Sequence, residues 1–453
     1  MRIVIGGASD IGIHLAELLS REKHDCTIVD ADNERLGGLD SDYDMMTMEG
    51  DPTSIKWLEE ARTGSADLFV AVTTEESQNI LSCIIAHKLG AKKTVARIDN
   101  EEYLAVKHKD FFSGIGVDSL IYPESLVAAH IVNGLRLSWA RQRWDVLGGA
   151  LVLLEVKLHD TCQVLEKPLS DICKPDDPYV VVAIRRGRET IIPRGGDVLK
   201  NLDMAYIMTT EENIPYIQTL VGKEHYDEVR NVIMVGGGKS ALRVAQTMPE
   251  DISLKIIEKD ARRCEQLNDL LDERAAMVIR ADGRDVGMLT EEGIRNAQAF
   301  VAMTGSSEAN ILACLTAKKM GVRKTIAMVE NLDYVGMAES FDIGTIINKK
   351  TVVTSHIYQI MLGGEVSNMR SLSLADSEVA EFTAAKGSAV TKKAVWKLGL
   401  PIGVTIGGLV RDGKGMLVNG DTQIREGDAV VVFSYRQDMK KVEKFFRPGM
   451  FWK

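Results

Sequence analysis

Apolar positions along the first part of the chain follow two alternating rhythms. Short β-rich runs fall at 2–6, 26–30, 45–48, 67–73, 94–98 and 118–121. Between them, stretches such as Glu76–Leu89 and Glu124–Leu137 carry apolar residues at helical spacing. An unbroken apolar strand is one buried on both faces, so the alternation predicts a parallel sheet covered by helices on both sides. From about 145 to 221 the rhythm changes. GALVLLEVKL, YVVVAIRR, TIIP and AYIMTT are short strands split by the turn signals KPDDP and RGGD, which predicts a small α+β module. Both patterns then recur. Residues 230–368 alternate again, and 376–453 supply EVAEFTA, GLVRDG, GMLVNGD and DAVVVF.

The recurrence is a duplication in register. Gly7 matches Gly236 at an offset of 229, and Asp30 matches Glu258 at 228. Thr73 matches Thr304, and Asn79-Ile-Leu matches Asn310-Ile-Leu, both at 231. Ile121, His130, Glu155 and Val164 match Ile347, His356, Glu381 and Val390 at 226. With 453 residues the chain is also too long for one core. The expected fold class is α/β: two Rossmann-like, doubly wound parallel-sheet domains, each followed by a small α+β module. The expected bounds are 1–138, 139–224, 228–368 and 369–453.

Composition narrows the function. A hydrophobic share of 45% and a charged share of 26% are those of an ordinary soluble protein. A net charge of −10 argues against nucleic acid as a partner. Arg185, Arg186 and Arg188 read as a solvated hairpin tip. The six cysteines contain no CxxC pair and sit mostly in apolar runs, as buried thiols in a reducing cytoplasm do. Arg2-Ile-Val-Ile leads straight into a glycine turn, unlike a signal peptide. No apolar run approaches the ~18–20 residues of a membrane span. The eight histidines show no HxxxH or HxH spacing, so no dedicated metal site is expected.

The glycine turns carry the chemistry. A strand that ends in glycines and opens a helix presents unpaired N–H groups to an anion. Gly236-Gly237-Gly238-Lys239-Ser240-Ala241 fits G-x-G-x-x-A: a tight turn, a close approach for pyrophosphate, and a small residue where helix packs on strand. Glu258 follows 22 residues after Gly236, suited to accept from a ribose hydroxyl. The first copy reads Gly7-Ala8-Ser9-Asp10-Ile11-Gly12, with Asp30 ending the next strand. Ser9 stands where the middle glycine is expected, and Asp10 brings a carboxylate toward any bound phosphate. Acids at 30 and 258 repel a 2′-phosphate, favouring NAD or an adenine nucleotide over NADP.

Gly50-Asp51-Pro52-Thr53, ADLFVAVTTEESQNI (66–80) and TVARIDNEEY (94–103) resemble the RCK domain (regulator of conductance of potassium), also called KTN. The small modules resemble its C-terminal companion. Two such pairs in tandem resemble the cytosolic NAD-binding regulatory subunits of bacterial Trk-type potassium-uptake systems. The resemblance implies that Gly7 to Gly12 face the phosphates, Asp30 the ribose and Asp51 the adenine. Thr73 and Thr74 would line the site, and Arg97 would reach the phosphates. Gly236, Gly237, Gly238, Lys239, Ser240, Glu258, Asp282 and Thr304 hold the same places in the second copy. There the strand-five arginine has become Met328, and Lys239 is a substitute charge. The implied ligands are NAD(H) or ATP/ADP. The implied partner is a membrane Trk-type potassium channel subunit, met at the inner face of the membrane by a dimer or tetrameric ring. The helices 122–138 and 348–364 fall where the family exchanges a helix between protomers; packing on their own domain is the alternative.

No Ser/His/Asp or Cys/His constellation stands out, and modules of ~75 residues are small for a dehydrogenase's substrate domain. His130 and His356 lie on apolar helices and read as packed side chains. Arg97 has an alternative as a structural ion-pair partner. The expectation is a regulatory subunit that is not an enzyme. The alternatives are an NAD-dependent oxidoreductase and a nucleotide sensor for another cation transporter.

Overall fold

The six apolar runs of the first copy become strands β1 (Arg2–Gly6), β2 (Asp25–Asp30), β3 (Met46–Glu49), β4 (Leu68–Ala71), β5 (Thr94–Arg97) and β6 (Ser119–Ile121). The computed structural model describes residues 1–187, 189–272, 275–362, 368–371 and 377–448. The sheet order is β3-β2-β1-β4-β5-β6, with β1 parallel to both β2 and β4. Ile3, Val4 and Ile5 on β1 are fully buried, as a strand flanked and covered on all sides requires. At roughly 1.5–3 kcal/mol for each large side chain removed from water, these central strands anchor the domain.

The small module follows with β7 (Gln142–Val146), β8 (Leu151–Lys157), β9 (Tyr179–Arg186), β10 (Glu189–Ile191) and β11 (Met204–Thr209). They form one antiparallel sheet in the order β10-β9-β11-β8-β7. The second parallel sheet holds β12 (Asn231–Val235), β13 (Ser253–Glu258), β14 (Met277–Arg280), β15 (Ala299–Ala302), β16 (Lys324–Met328) and β17 (Thr345–Ile347). The second small sheet holds β18 (Asn368–Ser371), β19 (Ser377–Thr383), β20 (Val404–Arg411), β21 (Lys414–Leu417) and β22 (Ala429–Tyr435). Their orders, β14-β13-β12-β15-β16-β17 and β18-β19-β22-β20-β21, repeat those of the first copy strand for strand. The edge strands β7 and β18 complete the small sheets beyond the runs that the apolar pattern marks.

The chain packs as two compact units, 1–129 with 347–361, and 130–346 with 362–453. The helix Lys349–Leu362 of the second copy therefore belongs with the first parallel sheet. It is held there by Lys349 to Glu124 at 2.6 Å, Lys350 to Asp10 at 3.0 Å and Tyr358 to Glu22 at 2.5 Å. Within this chain the helix thus packs on the other repeat and not on its own domain. Residues 363 and 364 of the expected segment lie outside the described residues.

In the second unit the two small sheets share one apolar core, with Val182, Leu151 and Met208 meeting Val431 and Phe433. Gly407 and Gly408 permit this approach, since an added Cβ would stand 2.9 Å from Val182 and 2.4 Å from Leu151. Arg185 is not a solvated tip residue. It is 9% exposed and ion-paired to Glu339 at 2.7 Å, because its strand packs against the second parallel-sheet domain. Arg186 pairs with buried Asp203 at 2.8 Å, and Arg188 lies outside the described residues. All six cysteines are free thiols. Burial pushes Cys26 and Cys314 up to about 12, as expected of inert interior residues.

Candidate nucleotide-binding crevices

In both parallel sheets the first strand lies between the second and fourth, so chain order reverses there. Open α/β sheets hold ligands at this switch point, beyond the carboxyl ends of the strands. The glycine turns stand at that point. Gly7 has φ +112 and Gly236 has φ +102, a region that disfavours any side chain. A Cβ on Gly7 would also come within 2.7 Å of the Thr73 nitrogen, and one on Gly236 within 2.7 Å of the Met303 carbonyl.

Each turn is tied to its acid. The Ala8 amide donates to Asp30 Oδ2 at 2.5 Å, and the Gly237 amide donates to Glu258 Oε2 at 2.7 Å. The second carboxylate oxygen accepts from the residue two positions on, Asp32 at 2.8 Å and Asp260 at 2.9 Å. Both carboxylates are thereby fixed at the crevice with lone pairs left over for a ribose hydroxyl.

Ser9 does not intrude. It caps the helix Asp10–Arg21, accepting from the Gly12 amide at 3.3 Å while its hydroxyl donates to the Val72 carbonyl at 2.5 Å. Its backbone, φ −69 and ψ 167, is close to that of Gly238, φ −64 and ψ −177. Nothing lies within 4 Å of a Cβ built on Gly238, so a side chain is tolerated there. Gly12 is the tight position, where a Cβ would stand 2.0 Å from the Gly7 carbonyl. Asp10 is 76% exposed and paired to Lys350, which removes the expected clash of charges. Ile11 points into the core.

Thr73 and Thr304 sit at the same place in each copy, but their hydroxyls are engaged. Thr73 gives its amide and hydroxyl to Asn79 Oδ1, both at 2.8 Å, and Thr304 gives its own to Asn310 Oδ1 at 2.9 and 2.7 Å. Arg97 donates to the Thr73 carbonyl at 3.2 Å and pairs with Asp99 at 3.2 Å. Asp51 accepts from the Thr53 amide at 2.8 Å and hydroxyl at 2.7 Å, and the Gly50 amide ties that loop to the Asp30 carbonyl at 2.9 Å. Asp282 bonds Arg284 instead, whose guanidinium holds the carboxyl down at about 2. Thr74 and Lys239 are exposed, and Ser240 is buried in the first turn of the helix Lys239–Thr247. A residue that the motif reading passed over is Arg263, whose Nε donates to the Gly237 carbonyl. Its signal in the sequence is its distance of five residues from Glu258, matched by Arg35 after Asp30.

The sites fit an adenosine-bearing anion. The glycine cradles would be filled by a Cβ, open space lies over Gly238, and an oriented carboxylate stands beside each turn. Among the described residues no group of three or more His, Cys, Asp or Glu could hold a metal ion. No described helix is long and apolar enough to cross a membrane. His130 and His356 are half-buried on their helices, and burial pushes His356 below its ordinary value.

The TrkA-N domain matches residues 3–123 and again 232–349, and the TrkA-C domain matches 379–447. The chain is 30% identical over 457 residues to the Trk system potassium uptake protein TrkA of Halomonas elongata, covering 99% of both. The chain belongs to the TrkA family. The Haemophilus influenzae TrkA is 29% identical over the full length of both chains, and the Archaeoglobus fulgidus TrkA homolog 30% over 99% and 100%. Among solved structures, the GsuK RCK domain aligns with a TM-score of 0.61 at 14% identity, over 98% of this chain and 94% of that one. The GsuK channel bound to NAD aligns with a TM-score of 0.60 at 14% identity, over 98% and 78%. These structures establish the RCK fold. The first small sheet has the same strand order as the second, in which the TrkA-C match lies.

Proposed function

We propose that this TrkA-family protein is the cytosolic regulatory subunit of a Trk-type potassium-uptake channel, and that NAD(H), ATP or ADP set its state. The chain works as four domains with the bounds 1–138, 139–224, 228–368 and 369–453. The observation that carries the reading is the repeated turn-and-acid pair, Ala8 with Asp30 and Gly237 with Glu258. Gly7 to Gly12 and Gly236 to Ser240 would meet the pyrophosphate through backbone amides, and Asp30 and Glu258 the ribose. Asp51, Thr73, Thr74, Arg97, Asp282, Thr304 and Lys239 flank the ligand. Beside these residues the protein offers oriented acceptors and backbone donors, groups that bind and orient.

A ligand that is bound and kept acts by its differential affinity for two arrangements of the protein. The protein assembles as a dimer or tetrameric ring and docks to its channel subunit at the inner face of the membrane. The test is potassium flux through the reconstituted complex with NADH, NAD⁺, ATP and ADP in turn. Flux that differs between nucleotides is the expected result; identical flux rejects the proposal. Steady nucleotide turnover with a hydroxy or amino acid would make the protein an oxidoreductase. Co-purification with a different cation transporter would make it that transporter's sensor.

A further inference from the structure

The first crevice has an arginine at the end of its fifth strand, Arg97, whereas the second has Met328 in that place. Lys239 is the nearest cation in the motif, but it lies exposed on the outside of its helix turn. The cation that does reach the second glycine turn is Arg263. It stands on the helix Ala261–Leu270, five residues after Glu258. Its Nε donates to the Gly237 carbonyl, and its Nη1 donates to Gln266 Oε1 at 3.0 Å. The same Gly237 gives its amide to Glu258, so carboxylate and guanidinium between them engage both backbone groups of one glycine.

Arg263 Nη2 is buried with no hydrogen-bond partner among the described residues. A buried donor left unpaired costs about 1–3 kcal/mol, so a fold keeps one only where something else satisfies it. At the rim of a nucleotide crevice that something is a ligand acceptor. Arg35, the matching residue of the first copy, is disposed differently. It pairs with Asp32 at 3.2 Å and its side chain is 50% exposed. The repeats thus retain the arginine at the same spacing but turn it inward only where the strand-five arginine is missing.

We propose that Arg263 is a ligand-binding residue of the second crevice. Its Nη2 donates to an acceptor on the adenosine half of the bound nucleotide, on the Glu258 side of the glycine turn. This rests on the nucleotide reading above. A planar, permanently charged fork suits such a ligand better than an ammonium does.

The experiment is calorimetry with ADP on the full chain in two backgrounds, Asp30→Ala to disable the first crevice and Glu258→Ala to disable the second. In the Asp30→Ala chain, adding Arg263→Ala lowers affinity about tenfold, as expected for one charge-assisted contact, and Arg263→Lys recovers only part of it. In the Glu258→Ala chain the same Arg263→Ala leaves binding unchanged. Equal affinity with and without Arg263 in the Asp30→Ala background overturns the proposal. A loss in both backgrounds overturns it too, since it would mark a general effect on the fold. An unsubstituted chain that binds no nucleotide rejects the nucleotide reading itself, and this assignment falls with it.

Discussion

Asn79 Oδ1 accepts both the amide and the hydroxyl of Thr73, each at 2.8 Å, from a side chain with no exposure to solvent. Its Nδ2 donates onward to the Thr73 carbonyl at 3.1 Å and the Arg97 carbonyl at 3.0 Å. One amide thus closes the ends of β4 and β5 where neither strand can pair further. Asn310 makes the same four bonds to Thr304 and Met328. Replacing Asn79 by Ala strands the Thr73 amide and takes one partner each from the Thr73 hydroxyl and from the Thr73 and Arg97 carbonyls. The expected cost is about 2–4 kcal/mol, read as a lowered thermal midpoint. Asn79→Asp keeps the acceptor but loses the donor, and so costs a buried charge beside two carbonyls. A midpoint within experimental error of the wild type would show that the clamp carries no stability.

Ser9 answers the question raised by its odd place in a glycine motif. The cap and the Val72 bond turn its hydroxyl inward, and its backbone needs no glycine. Ser9→Gly costs a few tenths of a kcal/mol and Ser9→Ala about 1, as for other helix caps. Neither opens the first crevice further. Nucleotide affinity there stays within about threefold in Ser9→Gly, since no ligand contact is gained or lost. A marked gain in affinity would mean that the serine obstructs the phosphates.

The small modules repeat an ion pair as faithfully as the larger domains repeat their clamp. Arg411 binds Asp428 through Nε at 3.0 Å and Nη2 at 2.6 Å, and Arg186 binds Asp203 at 2.9 and 2.8 Å. Both aspartates are buried, and each also accepts a backbone amide, from Arg425 and Lys200 at 2.7 and 2.8 Å. Burial pushes Asp428 up, but the Arg411 and Arg425 bonds outweigh it and hold the carboxyl below its ordinary value. Arg411→Met leaves that carboxylate buried without its cation and is expected to cost about 3–5 kcal/mol. Pairing it with Asp428→Asn should recover part of the loss. A single substitution with no effect on unfolding would show the pair to be ornamental.

The central strands of the first parallel sheet were legible because apolar runs such as RIVI have one stable place, a doubly covered sheet. The glycine turns and acids were legible because backbone geometry permits few residues there. Other features depend on contacts that no local pattern encodes. The edge strand Gln142–Val146 has mixed polarity and is defined by pairing to its neighbour. Arg185 reads as surface until Glu339, 154 residues away, is beside it. The helix Lys349–Leu362 shows its apolar face in the sequence, but not which domain that face covers. Arg263 is visible only as a repeated spacing until the Gly237 carbonyl gives it a position.

Lys324 tests whether the second unit keeps its buried charge. The residue opens β16 at 3% exposure, and its ammonium donates to the carbonyls of Ala140 and Arg141. Burial pushes it down to about 7, with the Arg141 charge adding to the fall and Glu155 opposing it. In the unfolded chain the same amine keeps its proton to about pH 10.4. Between about pH 7 and 10 the unfolded state therefore holds one proton more, and stability rises with pH by at most about 1.4 kcal/mol per unit. Below pH 7 both states are protonated, so the slope vanishes while the full cost of the buried ammonium remains. Lys324→Met removes the titrating group and leaves Glu155, Arg141 and Tyr206 in place. The wild-type thermal midpoint should climb relative to Lys324→Met as pH rises from 7 to about 9.5, and the two should run parallel below 7. Parallel profiles over the whole range would mean that Lys324 titrates as an ordinary solvated lysine, and that the packing of β16 against the Ala140–Arg141 carbonyls is not what the structure describes.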